Sequence, residues 1–131
     1  MMRVFQGMIF GWFMLVGTLA WAVESSIKLP MTEAEVKQLK AKADGGDPQS
    51  EYIVGMIYRA DGDKQALVEA VKWIRKSADH GYAPAQNTLG MLYARGIGVE
   101  QNSKEAFAWV KKAADQNLTE AQYNLGLMYL T

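Results

Sequence analysis

Apolar residues recur three and four positions apart along most of this chain, the spacing that one face of a helix requires. Val36, Leu39 and Ala43 form the first such face. Ala85, Leu89, Leu92 and Tyr93 form another, and Ala106, Trp109, Val110 and Ala113 a facing stripe. Beyond residue 32 no stretch alternates apolar and polar as a half-buried strand does. The pattern predicts a helix beginning after Thr32, then helices near 48–60, 64–79, 83–95, 103–116 and 119–130. Thr32, with Glu35 three residues on, makes a capping box, and Gly45-Gly46 ends the run. Asp47, Ala83 and Thr119 open the helices of one type, with Pro48 and Pro84 in the first turn, where proline is tolerated. Asp61-Gly62-Asp63, Gly81-Tyr82 and Gly96-Ile97-Gly98 separate helices, and Asn117 stands where a left-handed glycine cap is expected.

The helices repeat. Leu89-Gly90-Met91-Leu92-Tyr93 returns as Val54-Gly55-Met56-Ile57-Tyr58 and as Leu125-Gly126-Leu127-Met128-Tyr129, with glycines 35 and 36 residues apart (90 − 55 and 126 − 90). Trp73-Ile74-Arg75-Lys76-Ser77-Ala78-Asp79 returns 36 residues later as Trp109-Val110-Lys111-Lys112-Ala113-Ala114-Asp115. A period of this size describes stacked helix pairs, none able to bury its apolar face alone. The predicted class is all-α, an alpha-alpha superhelix of antiparallel helix pairs. Residues 32–46 form an N-terminal capping helix, because Ala43-Asp44-Gly45-Gly46 aligns with Ala78-Asp79-His80-Gly81 and so belongs to the second half of a unit. Full units follow at 47–82 and 83–118, then a first helix alone at 119–131. Gly90 is expected at a close helix approach, and Trp73 and Trp109 as core wedges between small residues.

These same positions carry a resemblance. Ala85-x-x-x-Leu89-Gly90-x-x-Tyr93-x-x-Gly96-x-Gly98-Val99, followed by Lys104-x-Ala106-x-x-Trp109-x-x-Lys112-Ala113-Ala114, resembles the Sel1-like repeat, a tetratricopeptide-like unit of slightly greater length. Residues 47–82 depart from it where Asp61-Gly62-Asp63 replaces Gly-x-Gly-Val, in a loop one residue shorter. The resemblance implies a right-handed solenoid serving as an adaptor in multiprotein assemblies, in bacteria often exported and linked to the envelope. In such stacks first-type helices line the concave surface. That would place Tyr52, Met56, Arg59, Asn87, Met91, Arg95, Tyr123 and Leu127 in one partner-binding groove, together with Ala60, Ala94, Leu130 and Thr131. Methionine adapts to shape, tyrosine and arginine anchor, and asparagine bonds a ligand backbone, a mixture suited to a peptide or helix. A glycan-binding module would favour aromatic platforms, and Met56 and Met91 count against it.

Composition narrows the field further. The 131 residues hold 14 basic and 14 acidic side chains and no cysteine, so disulfides and thiolate metal sites are excluded and nothing attracts nucleic acid. Arg3, the apolar run from Val4 to Leu19 and Ala20-Trp21-Ala22 describe a secretory signal over residues 1–22, with a linker at 23–31. This predicts an exported, periplasmic protein; the alternative is an inner-membrane anchor through residues 4–23. No catalytic set assembles: the single histidine, His80, ends a helix, Glu51 and Glu120 lie too far apart in the stack to share a glycan, and Asp61 and Asp63 form a plain turn. No enzyme, cofactor or metal is expected. Lys72, Arg75, Lys76, Lys111 and Lys112 read as a solvated convex face. The final helix, ending at Leu130-Thr131, leaves Leu125, Met128 and Tyr129 without a packing partner. That predicts a truncated longer protein, or an end helix covered by a second copy, as a homo-oligomer, or by the partner.

Overall fold

A computed structural model of the chain describes residues 31–131. Among the described residues there are six helices: α1 (Glu33–Asp44), α2 (Pro48–Asp61), α3 (Lys64–Asp79), α4 (Ala83–Arg95), α5 (Ser103–Asp115) and α6 (Thr119–Tyr129). The expected signal segment at 1–22, and all of the expected linker except Met31, lie outside the described residues. No described helix is long and apolar enough to cross a membrane.

The ends of the helices follow from local chemistry. The Thr32 hydroxyl accepts from Glu35 N–H at 3.2 Å while the Glu35 carboxylate accepts from Thr32 N–H at 2.7 Å, the reciprocal box that starts α1. Asp47 caps α2 through Ser50 N–H at 3.0 Å, Asp63 caps α3 through Ala66 N–H at 2.9 Å, and Asn102 caps α5 through Lys104 and Glu105 N–H, both at 3.1 Å. Tyr82 and Leu118, one residue ahead of the expected positions, cap α4 and α6 with extended backbone and no side-chain bond. Asn117 has φ 65°, the left-handed conformation its place in the repeat predicts.

These caps make stability depend on pH. Hydrogen bonds from Ser50, side chain first, hold the Asp47 carboxyl below its usual range, and the Ala66 N–H does the same for Asp63. Asp61 moves the other way, raised by desolvation and then by its neighbour Asp63. A depressed carboxyl stabilises the fold above its unfolded pKa and loses that contribution as pH falls through the folded value; a raised one has the opposite sign. Two depressed caps against one raised neighbour predict a melting temperature that falls between about pH 5 and pH 2. Asp47→Asn with Asp63→Asn, which keeps a competent cap, flattens that fall in thermal melts. An unchanged acid slope in the double variant refutes this assignment.

The helices stack in chain order. α2 pairs with α3 and α4 with α5, α3 leads into α4 and α5 into α6, and α1 covers the outer side of α2. Glycine sets the pairing distance. A Cβ built on Gly90 would lie 2.5 Å from Val110 Cγ2 and 2.9 Å from the Ala106 carbonyl, so α5 rests on bare α4 backbone. Gly55 receives Ile74 and the Ala70 carbonyl of α3 in the same way. Around these crossings lie Ile74, Leu89 and Val110, all at 0 % exposure, with Leu92, Tyr93 and a row of alanines. The Gly96–Asn102 loop folds back, so that Gly98, in the left-handed region, abuts the Leu67 carbonyl of α3.

The two tryptophans differ, which the sequence did not foresee. Trp109 is a core wedge, its indole N–H donating to Glu105 at 3.2 Å. Trp73 is only half-buried. Its corresponding acceptor, Glu69, is taken by Lys72 at 2.6 Å, whereas Ala108 stands at the lysine position in the next unit and leaves Glu105 to its tryptophan.

Candidate partner-binding surface

Successive first-type helices α2, α4 and α6 abut through side chains at one register. The Tyr52 hydroxyl lies 3.2 Å from Thr88 Oγ1, and its ring tilts against Tyr82 with centroids 5.5 Å apart. One unit on, the Asn124 amide donates to the Asn87 carbonyl oxygen at 3.1 Å. Burial pushes the Tyr52 hydroxyl above its usual pKa, against the opposing effect of its hydrogen bond with Thr88. Asn87 is 3 % exposed. It is therefore a correction to the expected groove: its amide is spent between helices and is closed to a ligand. Tyr52 is half-withdrawn for the same reason. Tyr123, the third member of the register, is 68 % exposed.

One turn along, exposure rises only on α4, from buried Asn87 to half-buried Met91. Met56 and Met91 are half-buried, and Leu127 follows at 45 % exposure. Arg59 Nη1 lies 3.8 Å from Met56 Sδ, which draws the guanidinium over the thioether, while Arg95 is exposed at the end of α4. Of the eight expected contact residues, the accessible ones are thus Met56, Arg59, Met91, Arg95, Tyr123 and Leu127, with Tyr52 partly so.

The basic residues of the second-type helices are largely engaged. Lys76 Nζ sits 4.4 Å from the Trp73 ring centroid and Lys112 Nζ 4.3 Å from that of Trp109; Lys111 bonds Asp115 at 2.9 Å, which raises the lysine pKa. Arg75 corrects the solvated reading outright. Its guanidinium donates to the Tyr93 hydroxyl and lies 5.5 Å from that ring, tying α3 to α4. Beside it an open depression of about 420 Å³ is rimmed by Glu100, Gln101 and Glu105.

A further pair escaped the sequence reading. Glu51 is 2 % exposed, and its Oε2 lies 2.7 Å from His80 Nδ1. Gln86 and Gln116 occupy the same two places in the next unit (51 + 35 and 80 + 36) and bond at 2.8 Å. The repeat register was the signal that could have revealed it. His80 and Glu51 thus brace a unit from within, joining helix α2 to the end of α3. Among the described residues no group of three or more His, Cys, Asp or Glu side chains converges on a metal position.

Helix pairs of this length, locked by a glycine crossing and stacked in chain order, define an α-α solenoid of the tetratricopeptide-like class. The Sel1 repeat pattern matches residues 48–82, 83–118 and 119–131, and the chain belongs to the Sel1-repeat family. Its members are generally non-enzymatic helical scaffolds that mediate protein–protein interaction. Among solved structures, a protective antigen present in uropathogenic Escherichia coli strains, c5321, displays an SLR fold. It is 41 % identical over 72 % of this chain and 20 % of its own, with a TM-score of 0.66. A Sel1 repeat protein from Oxalobacter formigenes is 37 % identical over 72 % of this chain and 71 % of its own, with a TM-score of 0.64. The chain thus spans about a fifth of the length of the Escherichia coli antigen. No curated protein matches it.

Proposed function

We propose that this protein is an adaptor of the bacterial cell envelope that holds a peptide or helix of a partner protein against its first-type helices. The observation that carries the reading is the column Met56, Met91 and Leu127. These residues share one register on three successive helices, with Arg59 and Arg95 beside the first two. Two flexible thioethers flanked by guanidinium groups offer an adaptable apolar strip with a charged margin, which suits an amphipathic or extended segment. Withdrawal of Tyr52 and Asn87 into the helix seam removes an aromatic platform and an amide from the surface, which weighs against a glycan ligand. Export would rest on residues 1–22.

In-cell photo-crosslinking tests the proposal. A photoreactive residue replacing Met91 is expected to give adducts of one defined mass, while the same residue at Lys111, on a second-type helix, gives none. Adducts only to the protein itself would replace the adaptor with a self-assembling structural protein. Adducts from position 111 and none from 91 would move the working face to the second-type helices.

A further inference from the structure

The strip formed by Met56 and Met91 carries its charge on one side only. Apart from Glu51, which is buried against His80, the charged side chains of α2 and α4 are Arg59, Asp61 and Arg95. Asp61 is engaged with its neighbour Asp63 through a side-chain hydrogen bond. Both arginines lie in the last turn of their helices. Among the described residues neither pairs with a carboxylate: the ion pairs there are Lys72–Glu69, His80–Glu51 and Lys111–Asp115. Arg59 instead turns back over the strip, with its Nη1 3.8 Å from Met56 Sδ. The helix dipole favours a cation at a C-terminus wherever its side chain points, so the dipole does not account for that direction.

Spacing adds a second constraint. The two helices touch, since the Tyr52 hydroxyl lies 3.2 Å from Thr88 Oγ1 across the seam. Packed helix axes lie about 8–10 Å apart. The methionines are 35 positions apart and the arginines 36 (91 − 56 and 95 − 59), so each row repeats across the seam at roughly that axial distance. A ligand that engages both rows must repeat its own chemistry at the same interval. Seven residues of α-helix rise about 10.5 Å and return to the same face. Three residues of strand rise about 10 Å but end on the opposite face, and two rise only about 7 Å. The interval therefore selects a helix laid across α2 and α4. Both belong to complete units, and nothing in this geometry depends on α6.

We infer that the partner segment is an acidic amphipathic helix lying along the stack. It sets apolar residues seven positions apart on Met56 and Met91, and carboxylates seven positions apart on Arg59 and Arg95. The inference rests on the partner-binding reading of the strip and adds to it the form and charge of the partner. A basic helix would set like charge against both guanidinium groups. A neutral one would cover them and leave them desolvated without a carboxylate.

The probe is a fluorescent designed helix about three heptads long, with leucine at every seventh position, glutamate four positions after each, and alanine and glutamine elsewhere. Its control carries lysine in place of glutamate. Titrated into the full chain and read by anisotropy, the acidic peptide is expected to bind about tenfold more tightly than the basic one, a difference that shrinks as salt is raised. Arg59→Glu with Arg95→Glu is expected to reverse the preference. Arg59→Gln with Arg95→Gln is expected to remove it without placing negative charge at the helix ends. Failure of the acidic peptide to bind overturns the inference. So does equal affinity for the two peptides, or a preference that survives the glutamine pair. The photo-crosslink from position 91 separates this failure from that of the reading beneath it. Adducts of one defined mass that persist alongside Arg59→Glu and Arg95→Glu overturn the acidic helix and leave the strip standing as a binding surface. No adduct from 91 with both arginines in place removes the strip itself, and adducts only to a second copy overturn both.

Discussion

Ile74→Ala lowers stability by about 2–5 kcal/mol, toward the upper end of that range. Ile74 is 0 % exposed, and its Cγ1 rests directly on the backbone at Gly55. Truncation removes three carbons from a site where the opposite wall is bare helix and has no side chain to swing into the gap. The lost transfer energy and the cavity therefore add in full. A solenoid of this size has about 5–15 kcal/mol in total, so the loss is a large share of the whole. It is read as a fall of about 4–8 °C in melting temperature for each kcal/mol. A change below about 1 kcal/mol would mean that α3 slides to close the gap, and that the crossing is not fixed by the glycine.

Gly90→Ala also destabilises, by about 1–3 kcal/mol, although the same change in an exposed helix stabilises by about 1 kcal/mol. Packing wins because of what the new methyl meets. Val110 Cγ2 at 2.5 Å could rotate away, but the Ala106 carbonyl at 2.9 Å and Val110 N at 3.1 Å are backbone and move only with α5 itself. Chemical denaturation should show the loss with an unchanged dependence on denaturant, since the surface exposed on unfolding is the same. An increase in stability at Gly90 would show that propensity outweighs the crossing. The open space at Gly126 is where propensity should prevail.

Much of this architecture was legible because repetition supplies its own alignment. Phrases 35 and 36 residues apart located the helix pairs, the crossing at Gly90 and the left-handed Asn117, each of which depends on neighbours close in sequence. Helix ends shifted by one residue in places, as at Asp61 and Asp115, because terminal turns are held by few bonds. What periodicity could not give was the fate of polar side chains between units. A helical wheel placed Asn87 opposite the core and therefore at the surface; it could not show that Asn124, 37 positions away, closes over it. Arg75 was misread for the same reason, since Tyr93 reaches it from the next helix. Polar contacts across a seam depend on the pitch of the superhelix, which no single helix records. The Glu51–His80 brace lay in view through its counterpart, Gln86–Gln116, but only to a reader aligning polar positions as carefully as apolar ones.

The glycine crossings set how the molecule gives way. Gly55 seats α3 and Gly90 seats α5, so each crossing belongs to one helix pair. A lesion at one of them loosens its own pair before the rest, and the stack yields piecewise instead of all at once.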